Sequence, residues 1–111
     1  MLKTLEKYSK IIKKTRIHRY EQFGMNLRLR VELELSDQSK LYIRETIIEG
    51  EKRKYSYHWQ DKKSNLKIRW DNAPDWDVNT KPHHIHIGNE VESSYERTLD
   101  QVLNRISKLI N

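Results

Sequence analysis

Leu27-Arg28-Leu29-Arg30-Val31-Glu32-Leu33-Glu34-Leu35 alternates one aliphatic and one charged residue for nine positions. A period of two places all five aliphatic side chains on one face of a strand and all four charges on the other. A helix would scatter both sets around its circumference, so this stretch predicts a sheet with one buried and one polar face. Working outward, Ser36-Asp37-Gln38-Ser39-Lys40 reads as a turn and Leu41 to Ile48 as the returning strand. Tyr55-Ser56-Tyr57-His58-Trp59-Gln60 is a third strand, rich in aromatics suited to a pleated surface. Leu66 to Asp71 is a fourth, with Leu66, Ile68 and Trp70 on one face, and His83 to Ile87 is a short fifth. The intervening residues 72–82, with Pro74 and Pro82, form a long loop, and loops of that length in small domains are usually functional.

The ends of the chain change period. Leu2, Leu5, Tyr8, Ile11 and Ile12 recur at helical spacing and predict a basic helical N-terminal segment over residues 1–20. Ser93 and Glu96 have capping-box spacing, and Leu99, Val102, Leu103, Ile106, Leu109 and Ile110 then predict a C-terminal helix over 94–110. The expectation is one α+β domain, residues 1–111. It comprises an antiparallel sheet of about five strands over 26–88, with the N-terminal and C-terminal helices packed on one face. A chain of this size buries about two thirds of its unfolded surface, enough to fold without metals or disulfides.

There is no cysteine, which excludes disulfides and thiolate metal sites. The longest apolar runs, such as Ile11-Ile12 and Ile47-Ile48, fall far short of the roughly 20 residues of a membrane span. The N-terminus lacks the apolar core of a signal peptide, so no membrane role and a cytoplasmic location are expected. The net charge of +6 is concentrated in residues 1–20, where seven Lys and Arg face only Glu6. Lys10, Lys13, Lys14, Arg16 and Arg19, with Arg28 and Arg30 on the first strand, are the expected nucleic-acid-binding residues. A solvated lysine-rich face is the plainer explanation of the same charge.

Strand parity also defines the polar face. It collects Arg28, Arg30, Glu32 and Glu34, then Tyr42 and Arg44, then Ser56, His58 and Gln60, then Lys67, Arg69 and Asp71, and finally His84 and His86. Aligning Trp59 with Ile68 on the buried side brings His58 opposite Arg69 on the other, roughly 5 Å apart at Cβ. Histidines that exchange protons near neutrality, beside an arginine that stabilises phosphoryl charge, match metal-independent RNA cleavage. In that chemistry His58 and one of His84 or His86 act as base and acid, Arg69 steadies the phosphorane, and Asp71 orients a histidine. No cofactor and no metal is required.

A metal site competes with this scheme. His84 and His86 point the same way about 6.5–7 Å apart and can share an ion with His58 or an acid such as Asp71, Asp75 or Asp77. A non-catalytic module binding nucleic acid or protein is a third possibility, with Asp71, Asn72 and Pro74 shaping the loop. Trp59 and Trp70 share the aliphatic parity and belong to the core, whereas Trp76 is the better candidate for an exposed aromatic. No glycine-rich phosphate loop, Gly-x-Ser-x-Gly or His-Glu-x-x-His is present.

Three motifs in order, Tyr55-Ser56-Tyr57-His58-Trp59-Gln60, Arg69-Trp70-Asp71-Asn72-Ala73-Pro74 and Pro82-His83-His84-Ile85-His86, resemble the signature of the TumE-like toxin family. The resemblance spans roughly residues 25–108. It implies the toxin of a type II toxin–antitoxin pair with an RNA-directed activity, and a cognate helix-turn-helix antitoxin and RNA as partners. His58, Arg69, Asp71, Asn72, His83, His84 and His86 match the family pattern. One departure stands out: where the family commonly has two histidines after the Ala-Pro step, this chain has Asp75-Trp76.

Overall fold

The computed structural model describes residues 1–74 and 78–110. The chain runs α1 (Leu2–Lys7), β1 (Ile12–Phe23), β2 (Asn26–Leu35), β3 (Lys40–Ile48), β4 (Lys52–Gln60), β5 (Leu66–Asp71), β6 (His84–Ile87), β7 (Glu90–Ser93) and α2 (Leu99–Ile110). The seven strands pair in chain order, each antiparallel to the next, so the sheet is an uninterrupted meander. The α+β class holds, but the described residues form a sheet of seven strands rather than about five, extending from residue 12 to 93.

The alternation in β2 does what its period demands. Leu29, Val31, Leu33 and Leu35 are buried, and Arg28 and Arg30 stay exposed. Leu41 and Ile43, then Tyr55, Tyr57 and Trp59, then Ile68 and Trp70, and finally Ile85 continue the buried face strand by strand. Leu99, Val102, Leu103 and Ile106 of α2 complete the same core, and Met1, Leu5 and Tyr8 from the N-terminal end pack against it. Trp59 and Trp70 are core residues as parity requires, and the buried Trp59 indole donates to Ser39 Oγ at 2.9 Å.

The N-terminal segment corrects the expected helix over 1–20. Only Leu2–Lys7 is helical, and Ile12–Phe23 is a strand on the sheet edge. Its period of two is concealed because two bulges, between Ile12 and Lys14 and between Ile17 and Arg19, each shift the phase by one residue. Ile12, Thr15, Ile17 and Tyr20 nonetheless stand opposite Leu35, Leu33, Val31 and Leu29. Gly24, at φ +58°, turns the chain back into β2 with no Cβ to oppose it. The ladder to β2 ties this polar segment to the sheet, whereas a helix of the same residues with little apolar face to pack would be marginal in water.

The C-terminal helix begins at Leu99, because Ser93 ends the short strand β7. Its capping box is Thr98 with Gln101: the Thr98 amide donates to Gln101 Oε1 at 3.0 Å and the Gln101 amide to Thr98 Oγ1 at 3.4 Å. In β5 a register shift next to the Trp59–Ile68 pair skips Lys67, whose ammonium lies 4.1 Å from the Trp59 ring centroid. Lys67 therefore leaves the face that Arg69 occupies. No helix among the described residues is long and apolar enough to cross a membrane.

Candidate functional site

The meander sets the polar side chains in rows, because residues opposite each other in register project to the same side. One row runs Tyr42–His58–Arg69–His86 across β3 to β6, and the next runs Arg44–Ser56–Asp71–His84. The expected His58–Arg69 neighbourhood is therefore present, with His86 on the far side of the arginine. All five expected catalytic residues lie within these two rows.

Arg69 is the hinge of the arrangement. Its Nε donates to Asp71 Oδ2 at 2.9 Å, and its Nη1 donates to His58 Nδ1 at 3.3 Å. Since arginine only donates, His58 Nδ1 carries the lone pair, and the His58 Nε2–H donates to Gln60 Oε1 at 3.2 Å. His58 is thus held in one neutral tautomer. Partial burial pushes its pKa below the ordinary histidine value, the Arg69 charge pushes it further, and Gln60 opposes both. The Tyr42 ring meets the imidazole edge-on at 6.1 Å between centroids.

Asp71 gathers the second group. Its Oδ1 accepts the Ala73 amide at 3.0 Å and faces His84 Nε2 at 2.7 Å, while Oδ2 lies 3.6 Å from His86 Nε2. His84 is fully buried and its Nδ1–H donates to the Pro82 carbonyl at 2.9 Å, which fixes Nε2 towards the carboxylate. His86, half-buried, meets the His84 ring edge-on at 4.8 Å. Burial lowers the His86 pKa, Asp71 pulls it back up, and His84 and Arg69 lower it again. Asp71, His84 and His86 offer one ligand atom each within 4.8 Å of one another, so these three residues could hold a metal ion. His58, the third ligand weighed from sequence, faces Gln60 and Arg69 instead.

Two further motif residues, His83 and Asn72, make contacts that brace the loop. His83 stacks on Tyr55 at an interplanar angle of 15° and bonds its hydroxyl at 2.8 Å through Nδ1, on the core side of β4. Asn72 donates to the Arg53 carbonyl at 2.7 Å and accepts the Tyr55 amide at 3.0 Å, pinning the loop to β4. Asp75, Trp76 and Asp77 lie outside the described residues.

A cleft of about 550 Å³ opens on this face, lined among others by Arg30, Tyr42, Arg44, His58, Gln60 and Arg69. Of the expected nucleic-acid-binding residues, Lys14, Arg16 and Arg19 stand in register with Glu34, Glu32 and Arg30 and so reach the polar face. Arg28 lies there opposite Glu21 and Thr46. Lys13 is skipped in a bulge and Lys10 sits in the turn before β1, so neither belongs to a register row. Arg44 and His18 also line the cleft and lie outside the expected binding set. Strand parity already put Arg44 on the face, whereas His18 is visible only once the bulges of β1 are known.

The family sequence model described as Toxin TumE matches residues 1–110. This chain belongs to the TumE toxin family. No curated protein and no solved structure matches it. Family membership makes the protein a toxin and suggests an antitoxin as its partner. All three motifs that carry the resemblance converge on the site of this TumE family member. The first supplies His58, the second Arg69 and Asp71, and the third His84 and His86.

Proposed function

We propose that this toxin acts on RNA as a metal-independent endoribonuclease, with His58 and His86 flanking Arg69 on the polar face. The observation that carries the proposal is the register row itself: both histidines are direct neighbours of one arginine, on opposite sides, in adjacent strands. Two interstrand steps separate them by roughly 10 Å, room for a phosphodiester between. His86 rather than His84 is the second histidine, because His84 is fully buried and cannot reach a polymer.

A phosphate entering the cleft draws the Arg69 guanidinium away from His58 Nδ1 and frees that lone pair. His58 then takes the proton of the ribose 2′-hydroxyl as the 2′-oxygen attacks phosphorus. The bond from phosphorus to the 5′-oxygen breaks, and that oxygen takes a proton from His86 in its imidazolium form, which leaves neutral imidazole. The products are a 2′,3′-cyclic phosphate and a 5′-hydroxyl. Arg69 carries the charge that builds on the phosphoryl oxygens, and Asp71 orients Arg69 and both C-terminal histidines. In the cell a helix-turn-helix antitoxin holds the activity in check.

The Asp71–His84–His86 cluster favours one second reading, a metal-dependent nuclease, because the His84 Nδ1–H bond to a carbonyl is the support a metal-binding histidine usually has. One experiment separates the two. The purified chain is incubated with end-labelled RNA with and without chelator, and the new termini are analysed. Chelator-resistant cutting with cyclic-phosphate ends, lost in folded His58→Ala and His86→Ala variants, is expected. Chelator-sensitive cutting would move the chemistry to the metal, and no cutting of any RNA would leave a binding module.

A further inference from the structure

One set of register pairs on the polar face opposes its own folding. Arg30 of β2 stands directly opposite Arg44 of β3, and Arg19 of β1 stands opposite Arg30 on its other side. Three arginines therefore fall in one row across three adjacent strands, whose backbones lie roughly 5 Å apart. Like charges directly opposite each other destabilise a sheet. Arg19 is compensated by two hydrogen bonds to Glu21, at 2.9 and 3.2 Å. Among the described residues, Arg30 and Arg44 form no ion pair with an acid. Glu32, the acid in the cleft wall, is engaged by His18 at 3.5 Å and Lys40 at 3.6 Å.

Both uncompensated arginines are exposed and line the same cleft as Arg69. An anion bridging them would turn the repulsion into binding, and the planar guanidinium fork suits phosphate oxygens best. We propose that Arg30 and Arg44, with Arg19 at the outer end, form a phosphate-binding row. It takes consecutive phosphates of one polyanion laid across the strands and leads the next phosphate towards Arg69. The row deepens the RNA reading and rests on it only for the identity of the polyanion. The same chemistry would accept an inorganic polyphosphate.

The test is calorimetric binding of sodium tripolyphosphate, a single-stranded 2′-deoxyoligonucleotide and poly-glutamate to the full chain, with thermal melting alongside. None of these ligands can be cut through a 2′-hydroxyl, so binding is measured apart from cleavage. Arg30→Gln and Arg44→Gln should each weaken tripolyphosphate binding about tenfold, as expected for one lost charge-assisted contact. Each free variant should melt at or above the parent temperature, since a repulsion has been removed. Lys63→Gln, which removes the same charge from the β4–β5 turn, should bind within about twofold of the parent. Tripolyphosphate without oligonucleotide binding assigns the row to free polyphosphate, and both together assign it to nucleic acid. Equal binding by the arginine variants, loss of stability in the free variants, or poly-glutamate binding as tightly as the oligonucleotide would each overturn the proposal. Arginine-dependent binding by a chain that cuts no RNA keeps the row and rejects the nuclease.

Discussion

In the proposed cleavage His58 is a base only while neutral, and its surroundings favour that form. Burial first, and then the Arg69 charge, hold its pKa below the ordinary value of 6.5. A general base with a depressed pKa stays unprotonated further into acid, so activity should fall on the acid side with a midpoint below pH 6.5. A pH profile of kcat/KM under single-turnover conditions reads that midpoint, and a value above 6.5 would remove His58 from the role. Asp71 carries a different weight. It is nearly buried, faces fully buried His84 at 2.7 Å and also takes Arg69 and the Ala73 amide. Asp71→Asn should therefore cost about 3–5 kcal/mol in urea denaturation, the usual penalty for breaking a buried pair. His83 shows why a histidine in a shared motif need not share the proposed chemistry: one residue from His84, it points to the opposite side and stacks on Tyr55.

Among the elements, the long strands were legible and the irregular ones were not. β2 announces itself because its alternation is unbroken and one face is buried. β1 is as much a strand, yet two bulges scramble its phase and nearly all its side chains are exposed, so no hydrophobic period survives. β7 has four residues and no buried side chain, too little pattern to be seen alone. The start of α2 is hidden for a related reason: Ser93 and Glu96 have capping-box spacing, but Ser93 is claimed by pairing with His84. The working cap is testable. Thr98→Ala should cost about 1 kcal/mol, read as a shift in the urea midpoint with unchanged slope.

At the scale of the whole molecule, one core supports one site. Trp59, Tyr57 and Trp70 are buried on one side of β4 and β5, and His58 and Arg69 alternate with them on the other. α2 closes that core, with Leu103 fully buried. Leu103→Ala should destabilise the whole domain by about 2–5 kcal/mol, with a single transition by both near- and far-ultraviolet circular dichroism. Two transitions would show that the helix and the sheet fold apart.

By itself the sequence determined the fold class, the polar face and the facing of His58 and Arg69. These depend on the two-residue period, which chain chemistry imposes locally, and on matching one apolar face to the next. Strand pairing across the sheet is what brings β1 into it, ties both C-terminal histidines to Asp71, and sets Arg19, Arg30 and Arg44 in one row. Each of these depends on register between strands, and register is set by bulges, turns and the matching of apolar faces rather than by any residue's own preference.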